Sequence, residues 1–219
     1  MKRAFHIMGS PGSGKGTQAN LLADHLYAIH FDTGKYLERI IKEGDPLVTP
    51  EFKKQFNTGI LNTPEIVLKL VKKEVGGLAK AGLTLIFSGS PRTLYEAFGN
   101  RKNEGLMPFL VRLYSKRNVT ILKLKVSNNA SLKRNSIRLV CSICKKPSIN
   151  PKLTHCSICG GKLYRRTLDK PEVIKERLRE YSERTEPIFK ELKKRKFRII
   201  EIDGTKMPSK VFESIKKHL

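Results

Sequence analysis

No stretch of the sequence approaches the roughly 18 consecutive apolar residues that cross a bilayer. The apolar run after Met1-Lys2-Arg3 is cut short by glycine and lysine, too early for a secretory signal. A cytoplasmic, membrane-free protein is therefore expected. Cysteine is absent outside residues 141–159, so a disulfide framework is not in prospect, and the clustering of all four points to metal. Acidic residues are scarce. Twenty Asp and Glu face 44 Lys and Arg, for a formal net charge of +24. Residues 97–140 carry ten basic side chains against one Glu, and residues 138–164 carry five against none. Such a surplus suits a phosphate-handling protein on a basic background, and it leaves a nucleic-acid surface as a second reading. Low-complexity linkers are missing too, and nothing repeats except two Cys-Ser-Ile-Cys knuckles.

What is present is a chain of 219 residues, 39% hydrophobic, long enough to bury a core. Short apolar runs over residues 4–8, 29–31, 83–87, 120–126 and 197–202 read as five strands. Between them the apolar residues recur at helical spacing. Pro64 opens one helix, lined by Ile66, Val67, Leu70, Val71 and Val75. A longer one carries Ile174, Leu178, Tyr181, Thr185, Ile188 and Leu192. Strands alternating with helices predict an α/β fold with a parallel five-stranded sheet covered on both faces.

The segment Gly9-Ser10-Pro11-Gly12-Ser13-Gly14-Lys15-Gly16-Thr17 lies between the first strand and the first helix. Glycines let successive N–H groups turn toward one point, and the helix N-terminus adds positive potential there. Lys15 is placed to reach the outer phosphates of a nucleotide. This is a P-loop in its required context. Cys141-x2-Cys144 and Cys156-x2-Cys159, with 11 residues between the pairs, can close a tetrahedral thiolate site. Four sulfur ligands leave no place for water, so a structural zinc is expected, with His155 a bystander.

The loop, continuing into Gln18, resembles the GxPGxGKGTQ of adenylate kinases. Thr33-Gly34 is similar to the start of that family's monophosphate-binding segment. Gly89-Ser90-Pro91-Arg92-Thr93 is similar to its GFPRT, and Asp203-Gly204-Thr205-Lys206 to its DGTK. The order and separations agree along nearly the whole chain. The resemblance implies a core of residues 1–32, 64–137 and 165–219, a helical monophosphate-binding segment at 33–63, and a zinc-ribbon lid at 138–164. It implies transfer of the ATP γ-phosphoryl group to AMP or another nucleoside monophosphate, with Mg2+ accompanying ATP, by a monomer. Arg92 would hold the monophosphate, and Lys15, Arg138, Arg166 and Arg177 would gather round the moving group. ATP would rest on Gly12, Ser13, Gly14, Lys15, Gly16 and Thr17, with Arg134 and Lys206 beside the base. Thr33, Gly34, Arg39, Asn62, Gly89, Arg92 and Glu96 fall on the acceptor side.

Several positions depart from the family pattern. Ser88 stands where an Asp orients magnesium-bound water, and Lys35 where Asp is usual. Glu38 occupies the place of a monophosphate-binding arginine, with Arg39 as its neighbour. Glu96 replaces a Gln that reads adenine, and an ionised Glu cannot donate a hydrogen bond. Leu168 replaces the first Asp of a lid-hinge pair, and Asp169 keeps the second. The rival reading is a nucleotide-gated RNA-binding protein with weak or no kinase activity.

Overall fold

The computed structural model describes residues 2–148 and 150–219. Strand β1 (Ala4–Gly9) is buried at all six positions, as a central strand covered on both faces must be. It is followed by α1 (Lys15–Leu26), β2 (Ile29–Asp32), α2 (Thr33–Glu43), α3 (Pro50–Thr58) and α4 (Pro64–Lys80). Next come β3 (Leu85–Ser88), α5 (Leu94–Phe98), α6 (Leu106–Tyr114), β4 (Val119–Lys125) and α7 (Asn128–Ile137). The five-stranded sheet has the order β2-β3-β1-β4-β8, where β8 is the late strand Arg198–Asp203, and every neighbouring pair is parallel.

Side chains alternate across the sheet with period two. Ala4, Met8, Leu85, Phe87, Val119 and Ile121 join one apolar cluster, with α4 and α6 packed over it. Phe5, Ile7, Ile86, Leu122, Leu124 and Ile202 join the other, closed by α1 and by the C-terminal helix Pro208–Lys216. The expected α/β fold is thus the observed one. Each expected strand is present, with ends shifted by one or two residues.

Between α7 and the final strand lie β5 (Leu139–Cys141), β6 (Pro147–Ser148) and β7 (Leu163–Tyr164), which form a small antiparallel sheet in the order β6-β5-β7. The chain then runs through α8 (Pro171–Glu180) and α9 (Glu186–Lys194). Periodicity predicts these two as one helix, but a π-helical segment, Tyr181–Thr185, separates them. The physical reason is Pro187 in the first turn of α9, which has no N–H to continue the ladder. The wide turn also brings Thr185 to the site, where its hydroxyl donates to the carbonyl of Arg92 at 2.8 Å.

Candidate active site

The phosphate loop is shaped by two glycines in the left-handed region, Gly12 (φ 80) and Gly14 (φ 92). A Cβ on Gly12 would lie 2.5 Å from Asn135 Nδ2 and 2.9 Å from the carbonyl of Ser131, so helix α7 rests directly on the loop. The Ser131 hydroxyl donates to the carbonyl of Pro11. Nothing lies within 4 Å of a Cβ on Gly14 or Gly16, which leaves that part of the loop open to a ligand. Lys15 Nζ donates to the carbonyls of Gly9 at 2.7 Å and Ser10 at 2.8 Å, folded back on its own loop.

A cleft opens beside the loop, lined by Gly9, Lys15, Gly89, Arg92, Arg177 and Glu180 among others. Arg92 is held by Nε donating to the carbonyl of Gly89 at 2.7 Å. Arg138 grips the wholly buried Asp169 with both Nε (2.9 Å to Oδ2) and Nη2. Arg177 approaches the same carboxylate at 3.6 Å and donates to the carbonyl of Leu168 at 3.1 Å. Asp169 therefore ties the base of the cysteine-bearing segment to helix α8. The carbonyl of Leu168, not its side chain, serves the second contact.

These cations feel one another. Burial, and then the like charges of Arg92, Arg177 and Arg138, hold the Lys15 ammonium well below its ordinary value. Burial and the charges of Arg92, Arg138 and Arg166 push the Arg177 guanidinium down to about 9. Burial also lowers Arg92, with Arg166 adding to the effect. Lys15, Arg92 and Arg177 thus line one cleft, with the charge of Arg138 acting on Lys15 and Arg177 and that of Arg166 on Arg92 and Arg177. Orphaned polar atoms mark the same place. Among the described residues, buried side-chain atoms without a partner are Ser10 Oγ, Ser13 Oγ, Gln18 Oε1, Asn135 Oδ1 and His6 Nε2. All belong to the loop, to the helices beside it or to the strand that feeds it. The two serine hydroxyls are donors that a phosphate oxygen would accept, whereas the Gln18 and Asn135 oxygens can only accept.

Other expected residues have different neighbours. Arg39 does not join the cluster. It pairs with Glu74 at 3.7 Å and lies over the Tyr36 ring, because successive helical positions point about 100° apart. Glu38 pairs with Lys42. Asn62 donates to the carbonyl of Phe52 at 2.6 Å and fixes the turn after α3. Arg134 donates to the carbonyls of Gly204 and Thr205, both at 2.8 Å, tying α7 to the Asp203-Gly204-Thr205-Lys206 loop, where Lys206 is exposed. Thr33 Oγ1 donates to Ser90 Oγ at 2.9 Å, and Gly34 N caps onto Asp32. A Cβ on Gly89 (φ 92) would crowd the Arg92 guanidinium at 3.3 Å.

Glu96 forms a capping box with Thr93. Thr93 Oγ1 accepts from Glu96 N, while Glu96 Oε2 accepts from Arg92 N at 3.0 Å. Both Glu96 oxygens serve this turn, since Oε1 also accepts from the Thr93 hydroxyl. Burial pushes the Glu96 carboxyl up to about 7, against the pull of the Arg92 N–H. Glu180 escapes the motif-based reading altogether. Its Oε2 accepts from Leu61 N at 3.2 Å and from Arg184 at 3.1 Å, so it joins the 33–63 segment to α8. A buried carboxylate at the end of an amphipathic helix was the only available signal.

The four cysteine sulfurs lie within 4.8 Å of one another, with Cys141–Cys159 at 3.4 Å and Cys144–Cys156 at 3.7 Å. Sulfurs around a tetrahedral zinc, at bond lengths of about 2.3 Å, stand about 3.8 Å apart, so the donor set fits that ion. The knuckles are alike: Ile143 N donates to Cys141 Sγ and Ile158 N to Cys156 Sγ, each at 3.4 Å. His155 takes no place in the sulfur group.

A parallel sheet, a glycine loop opening a helix and a ring of guanidinium groups define a P-loop nucleotide-binding protein. Sequence comparison narrows the class. A family model described as adenylate kinase matches residues 7–197. The adenylate kinase of Chlamydia pneumoniae is 37% identical over 186 residues, covering 84% of this chain and 83% of the relative. That of Clostridium tetani is 35% identical, covering 95% and 94%, and that of Methanosarcina barkeri is 32% identical, covering 96% and 95%. The chain belongs to the adenylate kinase family.

Proposed function

We propose that the protein transfers the γ-phosphoryl group of ATP to a nucleoside monophosphate, reversibly, giving ADP and a nucleoside diphosphate. The observation that carries this reading is the set of cations at the phosphate loop: Lys15, Arg92 and Arg177 line one cleft, and Arg138 is tied to Arg177 through Asp169. Such an arrangement is stabilised by polyphosphate and by little else.

In the proposed reaction the bond between the γ-phosphorus and its bridging oxygen breaks as an acceptor phosphate oxygen bonds to that phosphorus. The acceptor is already anionic near neutral pH, so no general base is required. The protein's task is alignment and neutralisation of charge. The loop N–H groups and the α1 terminus hold the ATP phosphates. Lys15 exchanges its loop carbonyls for phosphate oxygens. Arg92 holds the acceptor phosphate, and Arg138, Arg166 and Arg177 surround the moving group, each able to present a two-pronged donor. Magnesium accompanying ATP would supply further neutralisation of the phosphate charge.

The segment 138–164 acts as a zinc-held lid over ATP, and 33–63 as the acceptor segment. AMP is the first acceptor to test, by kinship with the named relatives. Glu96 contributes through the turn it caps rather than by reading a base. A monomer in the cytoplasm is the expected form.

The test is ADP formation from MgATP with AMP, GMP, CMP and UMP in turn. At least one acceptor should support turnover. The net charge of +24 favours a second reading, an RNA-binding P-loop protein. Silence with all four acceptors, together with salt-sensitive RNA binding, would establish that alternative.

A further inference from the structure

Position 88 offers no negative charge to the site. Ser88 Oγ lies 2.7 Å from His30 Nε2, and His30 Nδ1 lies 2.6 Å from Asn20 Oδ1. The Asn20 oxygen can only accept, so the imidazole proton sits on Nδ1 and the Ser88 hydroxyl donates to Nε2. Burial lowers the His30 imidazole below its ordinary value, and the whole Asn20–His30–Ser88 chain is neutral at physiological pH.

The nearest carboxylate on this edge is one strand over. Asp32 is the register partner of Ser88 at the C-terminal ends of the parallel strands β2 and β3. Alternation along β2 puts Asp32 on the same face as His30, which is the face packed on α1. Asn20, the helix residue that meets His30, lies one turn beyond Thr17 on the same side of α1. Asp32 thus lies on the α1 side of the sheet, as His30 does. Its charge reaches both Lys15 and Arg92. Oδ1 accepts from Gly34 N at 3.0 Å and Lys35 N at 3.2 Å, while Oδ2 makes no hydrogen bond among the described residues.

P-loop proteins hold magnesium between the loop hydroxyl and a carboxylate at a neighbouring strand end. We infer that Asp32 is the carboxylate that would serve the metal here, with the function that the family resemblance gives to an acid at position 88 moved across the sheet by one strand. The inference rests on the kinase reading above. The exposed ammonium of Lys35 is the competing cation at this spot.

Asp32→Asn keeps the helix-capping oxygen and removes the charge. Calorimetry with ATP in EDTA reads nucleotide binding alone. Mn2+ titration of the ATP complex, followed by the paramagnetic resonance of free Mn2+, reads the metal seat. The wild type should hold Mn2+ about tenfold more tightly than Asp32→Asn, while metal-free ATP binds the variant equally well or better. Asp32→Asn combined with Ser88→Asp should recover most of the lost Mn2+ affinity. Thermal melting checks folding, and Asp32→Ser supplies a second variant that retains a cap. Unchanged Mn2+ affinity in both single variants overturns the inference, as does wild-type ATP binding that is indifferent to Mg2+; in that case Lys35 takes the cation's part. Failure of ATP to bind in EDTA and in Mg2+ alike would instead bring down the kinase reading itself.

Discussion

Strand β1 buries all six of its residues, and the sheet around it is packed on both faces by apolar clusters. The segment from 138 to 164 buries Val140, Cys141 and Cys156 and leaves Ile143 and Ile158 at 68% and 64% exposure. A fully buried Leu, Ile or Phe contributes about 2 kcal/mol, so the sheet has many times the apolar stabilisation of the small lid. In that small region the link is four thiolates, which lend their stability only when an ion joins them. The sheet is thus held by packing, whereas the cysteine segment offers a donor set that a zinc ion would tie together. Moving parts benefit from that division, since a flap with little apolar contact can swing without exposing a core.

The comparison is tested most severely at the shared charges. Lys15→Ala or Arg92→Ala should lower kcat by about 10³-fold or more, with an unchanged far-ultraviolet spectrum, as steady-state kinetics would read. Activity within tenfold of wild type would mean that the cation cluster is not where the chemistry occurs. Next in size is the lid. Cys141→Ser should lose tightly held zinc by elemental analysis and speed amide exchange across 138–164, while the core melting temperature falls by less than about 3 °C. Retained zinc, or a core that melts with the lid, would erase the distinction drawn above. Asp169→Asn strikes the joint between the two regions. It should destabilise the protein by about 3 kcal/mol in urea and loosen Arg138 and Arg177 together.

The smallest effect is a pH dependence inside the core. Glu96 has a folded-state value raised to about 7, so its protonated form favours folding below about pH 4.5 and that contribution fades as pH rises through 7. His6 is buried against Phe87 and pushed down to about 4, so its contribution is present above about pH 6.5 and fades as pH falls toward 4. The two slopes oppose each other over the same interval. Glu96→Gln removes one of them. Its melting temperature should rise from pH 4.5 to 7 relative to that of the wild type, by the equivalent of about 1–3 kcal/mol. Parallel curves for the two proteins would deny Glu96 its burial term.

Sequence legibility followed the range of the interaction. The phosphate loop, the cysteine knuckles and the strands themselves are local or periodic, and the glycine, cysteine and apolar positions declare them. Motif spacing singles Arg92, Arg138, Arg166 and Arg177 out of a basic background. The pairing of Arg39 was not legible, since one residue of helical rotation turns it toward Glu74. Asp169, Glu180 and Asp32 owe their importance to partners far away in sequence, such as Leu61 for Glu180 and Ser88 for Asp32. The π-helical turn depends on Pro187 acting one turn upstream of itself, which apolar periodicity alone does not register.

Helix α7 touches the phosphate loop through Ser131 and Asn135 at one end and hands the chain to Arg138 and the cysteine knuckles at the other. It can behave as a beam whose near end bears on the nucleotide's seat and whose far end carries the hatch. With a hydrogen at position 12 the beam lies flush; the methyl group of Gly12→Ala would lift it by a fraction of an ångström. That small wedge would spoil the seal at the far end while leaving every charged group in the chain untouched.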